Sequence, residues 1–169
     1  MILRALFHYL FHFSTPRNIN TRPVPNVDTN RMLGRWYELA RLNVPFEEGM
    51  EEVFADYTLR PDGNIDITNQ GMSGKHRRRK AHAIAYPGRE STLKVSFIPF
   101  LRCLTSSYNV LSIDDTYTHA LVSNGNGSCL WFLSRTPKRN PESFNGLMQE
   151  ALRRGFDLSA LHYTKHRFC

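Results

Sequence analysis

From residue 35 to residue 135 the chain is a succession of short runs in which apolar and polar side chains alternate. The runs are RWYELARL (35–42), EVFADYTL (52–59), NIDITNQG (64–71), KAHAIAY (80–86), TLKVSFIPF (92–100), YNVLSI (108–113), THALVS (118–123) and CLWFLSR (129–135). Alternation puts successive side chains on opposite faces of a strand, so each run predicts a strand with one buried face. Several are closed by PDGN, PGRES, DDTY or NGNGS, rich in residues that favour turns. Eight antiparallel strands in simple succession leave two edges exposed, and closure into an up-and-down barrel removes them. The expected fold is therefore all-β, an eight-stranded antiparallel barrel.

The pattern changes once, near the end. Phe144, Leu147, Met148, Ala151 and Leu152 recur at helical spacing. Asn140 suits the N-cap, Pro141 the first helical position, Glu142 the positive end of the helix dipole, and Gly155 the stop. This predicts a C-terminal helix whose apolar stripe packs on the outside of the barrel. Ahead of the first strand, STPRNINTRPVPNVD (14–28) reads as an extended linker. Arg4 and the apolar run after it resemble a secretory signal or peripheral anchor, interrupted by His8 and His12. The run is too short to span a bilayer, and neither an A-x-A-like cleavage site nor a Cys placed to accept a lipid follows it. Residues 1–26 are thus expected to be a signal-like segment and linker, and residues 27–169 the folded domain.

Composition narrows the chemistry. A formal charge of +7 favours anionic partners, whether a membrane surface, an acidic ligand or nucleic acid. Nucleic-acid binding would need exposed aromatics interleaved with the basic residues. The run KHRRRK (75–80) has none within it, so no nucleic-acid partner is expected. Cys103, Cys129 and Cys169 allow one disulfide with a thiol left over, or none. No Cys or His spacing suits a zinc site, and no metal or cofactor is expected. No Ser/His/Asp constellation emerges, because the histidines lie mostly in tails and loops.

Three short motifs carry a resemblance to a known family. Gly34-x-Trp36 before the first strand, Tyr117 in the turn before the seventh, and Arg135 at the end of the eighth resemble the three conserved blocks of the lipocalins. GRWYELAR, DDTYTHALV and LWFLSRTP resemble the bacterial outer-membrane subgroup, with its apolipoprotein D and plant temperature-induced relatives. The likeness covers about residues 27–165. The second block departs from the usual T-D-Y, since Asp115 and Thr116 precede Tyr117, and the subgroup's acylated Cys is absent from this N-terminus. The resemblance implies that Gly34, Trp36, Tyr117 and Arg135 form the closed base, with the guanidinium over the indole face.

The resemblance also orients the strands. With Arg135 at the base, Leu133 and Trp131 point inward while Phe132 and Leu130 face the helix. On the first strand Trp36, Glu38 and Ala40 share the inner face, and Arg35, Tyr37, Leu39 and Arg41 the outer one. The remaining inward set is Ala55, Tyr57 and Leu59; Ile65, Ile67 and Asn69; Val95 and Phe97; Tyr108 and Val110; and Leu121 with Ser123. This lining is mostly apolar with a few polar points. Glu38 stands out in it, paired either with a cation inside or with the ligand. Lys75, Arg77, Arg78 and Arg79 fall at the open mouth, beside an apolar loop with Ile98, Phe100 and Leu101 and across from the acidic EEGMEE. They could meet an anionic head group, as Arg binds phosphate well, and the mouth could touch a membrane.

The function implied is non-catalytic carriage or storage of a fatty acid or lysophospholipid, in the periplasm or outer membrane or after secretion, by a monomer or weak homodimer. A lipocalin-type enzyme and a tetrapyrrole binder are the alternatives. The cavity Cys of the isomerase type has no counterpart on the second strand, and only Cys129 could approach the interior.

Overall fold

The first strand, β1 (Gly34–Leu42), holds the fold closed by bonding to two neighbours along its length. Residues 34–37 pair with β2 (Met50–Leu59), and residues 37–42 pair with β8 (Leu130–Ser134). Between them run β3 (Ile65–Ser73), β4 (Arg77–Pro87), β5 (Thr92–Ser96), β6 (Ser106–Ile113) and β7 (His119–Asn124), each antiparallel to the next. A helix, α1 (Pro141–Arg153), follows, and a two-residue β9 (His162–Tyr163) returns to pair with Ala40 and Arg41. The computed structural model describes residues 18–42, 44, 47–74, 77–88, 92–96 and 106–167. The signal-like start (1–17), Lys75, Phe97, the loop with Ile98, Phe100 and Leu101, and Cys103 and Cys169 lie outside the described residues.

The closed barrel separates two apolar clusters. Trp36, Ala55, Tyr57, Ile67, Val95, Val110, Val122 and Leu133 pack inside it. Leu39, Ala40, Leu42, Leu111, Leu121, Leu130 and Phe132 pack outside it, against Phe144, Leu147 and Ala151 of α1. The helix starts as its sequence predicts: Asn140 Oδ1 accepts from the Ser143 N–H at 3.0 Å, and Pro141 opens the first turn. Leu152, placed in the apolar stripe by spacing, is instead 49% exposed, one position past the buried edge at Ala151.

Strict alternation fails on β1. Glu38 pairs with Leu133 but Ala40 pairs with Phe132, so Leu39 is an extra residue, a β-bulge. Beyond it the faces exchange. Ala40, expected inside, joins the outer cluster. Arg41, expected outside, lies opposite Trp131 and is 3% exposed. The Leu39 carbonyl accepts from the Thr164 N–H at 3.1 Å, in the C-terminal segment beside the bulge.

Two further expectations are corrected. Leu121 packs outside with the helix, because it lies directly opposite Phe132 on β8, and opposed residues share a face. Ala120 and Val122 take the inner positions. Leu59 has the inward parity of Tyr57 but is 51% exposed. The first residue of β1, Gly34, pairs with Tyr57, so Leu59 projects beyond the barrel floor.

That floor is built as the motif blocks imply. The Arg135 guanidinium lies 3.9 Å from the centroid of the Trp36 ring. Its nitrogens donate to the carbonyls of Arg31 (2.7 Å), Arg35 (2.8 Å) and Tyr117 (3.2 Å). Trp36 Nε1 donates to the Met32 carbonyl at 2.8 Å. Gly34 has φ +92°, a conformation that favours glycine, and a Cβ there would reach ordinary contact with Arg135 Nη1 at 3.4 Å. Tyr117 stands at φ +58°, with its hydroxyl accepting from the Asp28 N–H at 2.8 Å and Arg31 4.0 Å over its ring. Arg135→Lys keeps the charge but cannot reach three carbonyls from one fork. It is expected to cost about 2–3 kcal/mol in urea unfolding, and a cost below about 0.5 kcal/mol would mean that the clamp contributes packing alone.

Candidate functional site

Above the floor the barrel encloses a cavity lined by residues from strands on both sides of the bore. Trp36 and Glu38 come from β1, Val53, Phe54, Ala55 and Tyr57 from β2, and Ile67 and Asn69 from β3. Val95 of β5, Ser106, Ser107 and Tyr108 of β6, Asn124 of β7, and Trp131 and Leu133 of β8 complete the wall, with Glu47 at the mouth side. The space amounts to about 730 Å³ counted out to the open mouth, yet the centre of a water molecule can occupy only about 70 Å³ of it. The bore is therefore narrow. Within it the Tyr57 and Tyr108 hydroxyls meet at 2.7 Å. Burial pushes the Tyr57 phenol up to about 12 and Tyr108 well above its usual value, so both stay neutral.

A charged cluster stands at the mouth side of this wall. Arg41, turned inward by the bulge, bonds Glu38 Oε1 through Nη1 at 2.7 Å. Its Nη2 donates to the carbonyls of Glu47 (2.7 Å) and Met50 (3.0 Å), which holds the 47–50 turn against the barrel. The Thr164 hydroxyl also donates to Glu38 Oε1. Glu47 Oε2 accepts from Trp131 Nε1 at 3.2 Å. Burial pushes the Glu47 carboxyl well above the ordinary carboxylate range, and the adjoining Glu38 pushes it further. Arg41 opposes both without cancelling them. Arg41 thus faces two carboxyls, and the Glu47 carboxyl is the one that burial holds toward its protonated form.

A lipocalin-like domain matches residues 27–166 of this chain. The chain belongs to the lipocalin family. It is 40% identical over 150 residues to the outer membrane lipoprotein Blc of Escherichia coli K12, a match covering 85% of the chain and 81% of that protein. It is 37% identical over 149 residues to temperature-induced lipocalin-1 of Arabidopsis thaliana, covering 83% and 80%. Among solved structures, that of the cockroach allergen Per a 4 matches with a TM-score of 0.72 at 17% identity. That likeness, over 92% of this chain and 98% of the allergen, is one of fold.

In this lipocalin ten of the residues read as inward from sequence meet at the cavity: Trp36, Glu38, Ala55, Tyr57, Ile67, Asn69, Val95, Tyr108, Trp131 and Leu133. Ile65 and Val110 also face inward but are buried in the inner cluster without lining the space. Arg41 was read as facing outward, and Glu47 only as part of the acidic mouth loop EEGMEE. The adjacent apolar pair Leu39–Ala40 in an alternating strand was the signal for the bulge, and nothing in the loop set Glu47 apart from its acidic neighbours. Asn124 replaces the expected Ser123 because β7 is one residue out of the assumed phase. Arg77, Arg78 and Arg79 open β4 and are exposed, opposite Ser73, Met72 and Gly71. Arg78 lines an outer groove with Gln70 and Met72, while Arg77 and Arg79 hold register positions on the cavity side. Cys129 is fully buried, is absent from the cavity wall, and has its thiol pushed up to about 12 by burial. Among the described residues no group of three His, Cys, Asp or Glu could hold a metal.

The Glu47 proton is linked to stability. Folding raises this pKa, so the Glu47 contribution is greatest below the ordinary carboxylate value and declines as pH rises through the folded value. Glu47→Gln keeps the shape and a donor while removing the titration. Urea midpoints recorded from about pH 5 to 9 are expected to fall less steeply in the variant. Identical slopes would mean that Glu47 is already ionised in the folded protein.

Proposed function

We propose that this lipocalin is a non-catalytic carrier of a single-chain lipid, a fatty acid or lysophospholipid, in the cell envelope. The narrow apolar bore, open at one end and plugged by Trp36 at the other, carries the reading. It suits one extended chain better than a flat macrocycle. Burial gives about 0.8 kcal/mol per methylene, so a dozen contribute about 10 kcal/mol. Micromolar affinity corresponds to about 8 kcal/mol, which leaves a margin for ordering costs. Ala55, Ile67, Val95 and Leu133 would touch the chain, and Tyr57, Asn69 and Tyr108 its polar parts. Arg77 and Arg79 at the rim, with Lys75 beside them in sequence, would meet an anionic head group or membrane surface. The envelope location rests on the similarity to the outer membrane lipoprotein Blc. The high pKa of the Cys129 thiol supports a binding protein over a thiol enzyme.

Titration with a fluorescent fatty acid, followed by displacement with lysophospholipid, is expected to give micromolar or tighter binding. Narrowing the bore by Ala55→Leu, or by Val95→Phe in a separate variant, is expected to weaken it at least about tenfold with the far-ultraviolet spectrum unchanged. Absence of binding by the unaltered protein at micromolar levels would refute the reading.

A further inference from the structure

The two cavity carboxyls do more than line the wall. Glu38 is 2% exposed and Glu47 5% exposed, and both face the bore. Glu38 Oε1 is fully engaged by Arg41 and Thr164, whereas Oε2 accepts from no donor among the described residues. Glu38 and Glu47 share the cavity wall and sense one another's charge, and two carboxyls that close together are eased by a shared proton. Among the described residues, Arg41 is the cation that opposes the Glu47 charge. Tyr57, Tyr108 and Cys129, the other titratable groups that sense Glu47, are held neutral by burial. Arg41 already serves Glu38.

We propose that Glu38 and Glu47 form an amine-binding subsite, taking the primary ammonium head of a ligand whose apolar chain occupies the bore. The ammonium replaces the proton between the carboxyls. Glu47 releases that proton to solvent, and its carboxylate and Glu38 Oε2 each accept an N–H from the ligand. Charge is conserved inside the barrel, since one cation enters as one proton leaves. A ligand alcohol cannot make this exchange, and a ligand carboxylate placed there meets two other carboxyl groups. The inference rests on the reading of the barrel as a single-chain lipid carrier and adds the chemistry of one head group.

The test compares n-decylamine, n-decanol and decanoate as competitors of a fluorescent fatty acid, at about pH 7.5. The amine is expected to bind about tenfold or more tightly than the alcohol, as a charge-assisted bond to a buried carboxylate warrants. Glu47→Gln, which can still donate to Glu38 and accept from Trp131, is expected to abolish that advantage, bringing the amine-to-alcohol affinity ratio to about one. Calorimetry of decylamine in two buffers of different ionisation enthalpy is expected to show close to one proton released per amine bound. This measurement needs no variant. Equal affinities for amine and alcohol, an advantage that survives Glu47→Gln, or no proton release would each overturn the subsite while leaving the lipid carrier standing. Failure of the fluorescent fatty acid itself to bind would overturn both.

Discussion

One extra residue in one strand sets the chemistry of this barrel. The bulge at Leu39 exchanges the two faces of β1, so that Glu38 before it and Arg41 after it both point inward. A regular strand would send Arg41 to solvent and leave Glu38 as an unpaired charge in an apolar bore, a state far too costly to persist. The pair is buried on both sides and satisfied well beyond its own ion contact. Arg41 also takes two carbonyls of the 47–50 turn, and Glu38 takes the hydroxyl of Thr164. Breaking such a pair strands a buried charge, which makes it costly to lose whatever its net contribution to stability.

The same pair ties together parts of the chain that are distant in sequence. The bulge presents the Leu39 carbonyl to Thr164, β9 pairs beside it, and His166 meets the Glu38 backbone at 2.8 Å. The C-terminal segment and the mouth turn that carries Glu47 are therefore anchored to a single point on β1. At the opposite end the Arg135 clamp joins the start of β1, the turn before β7 and the end of β8. One end is a plug of aromatic packing and carbonyl contacts, and the other is a hydrogen-bonded polar cluster facing the bore. This asymmetry gives the container a floor and a chemically distinct upper wall.

Much of this was legible in the sequence, and the remainder failed for a common reason. Alternation located the strands and cap chemistry the helix, because each depends on residues close together in the chain, and the family resemblance of the motif blocks located the floor. Period two carries no memory of phase, however. A bulge resets it by one residue, and Ala40 and Arg41 were assigned to the wrong faces as a result. Leu121 was misplaced by a phase that only its partner Phe132 fixes, and Leu59 by a floor level that only the β1–β2 register reveals. Arg154 drew no reading from the sequence; it is buried and donates to the carbonyls of Asn20, Arg22 and Leu111, fastening the entering chain to β6.

The inward placement of Arg41 can be measured directly by a double-mutant cycle on Glu38→Gln and Arg41→Met, read as urea unfolding free energies. A buried pair predicts that either single change costs about 3 kcal/mol or more, that the double variant costs less than the sum, and that the coupling is about 2 kcal/mol or greater. Coupling near zero, with Arg41→Met costing less than about 0.5 kcal/mol as at an exposed site, would contradict the bulge and the polar cluster built on it.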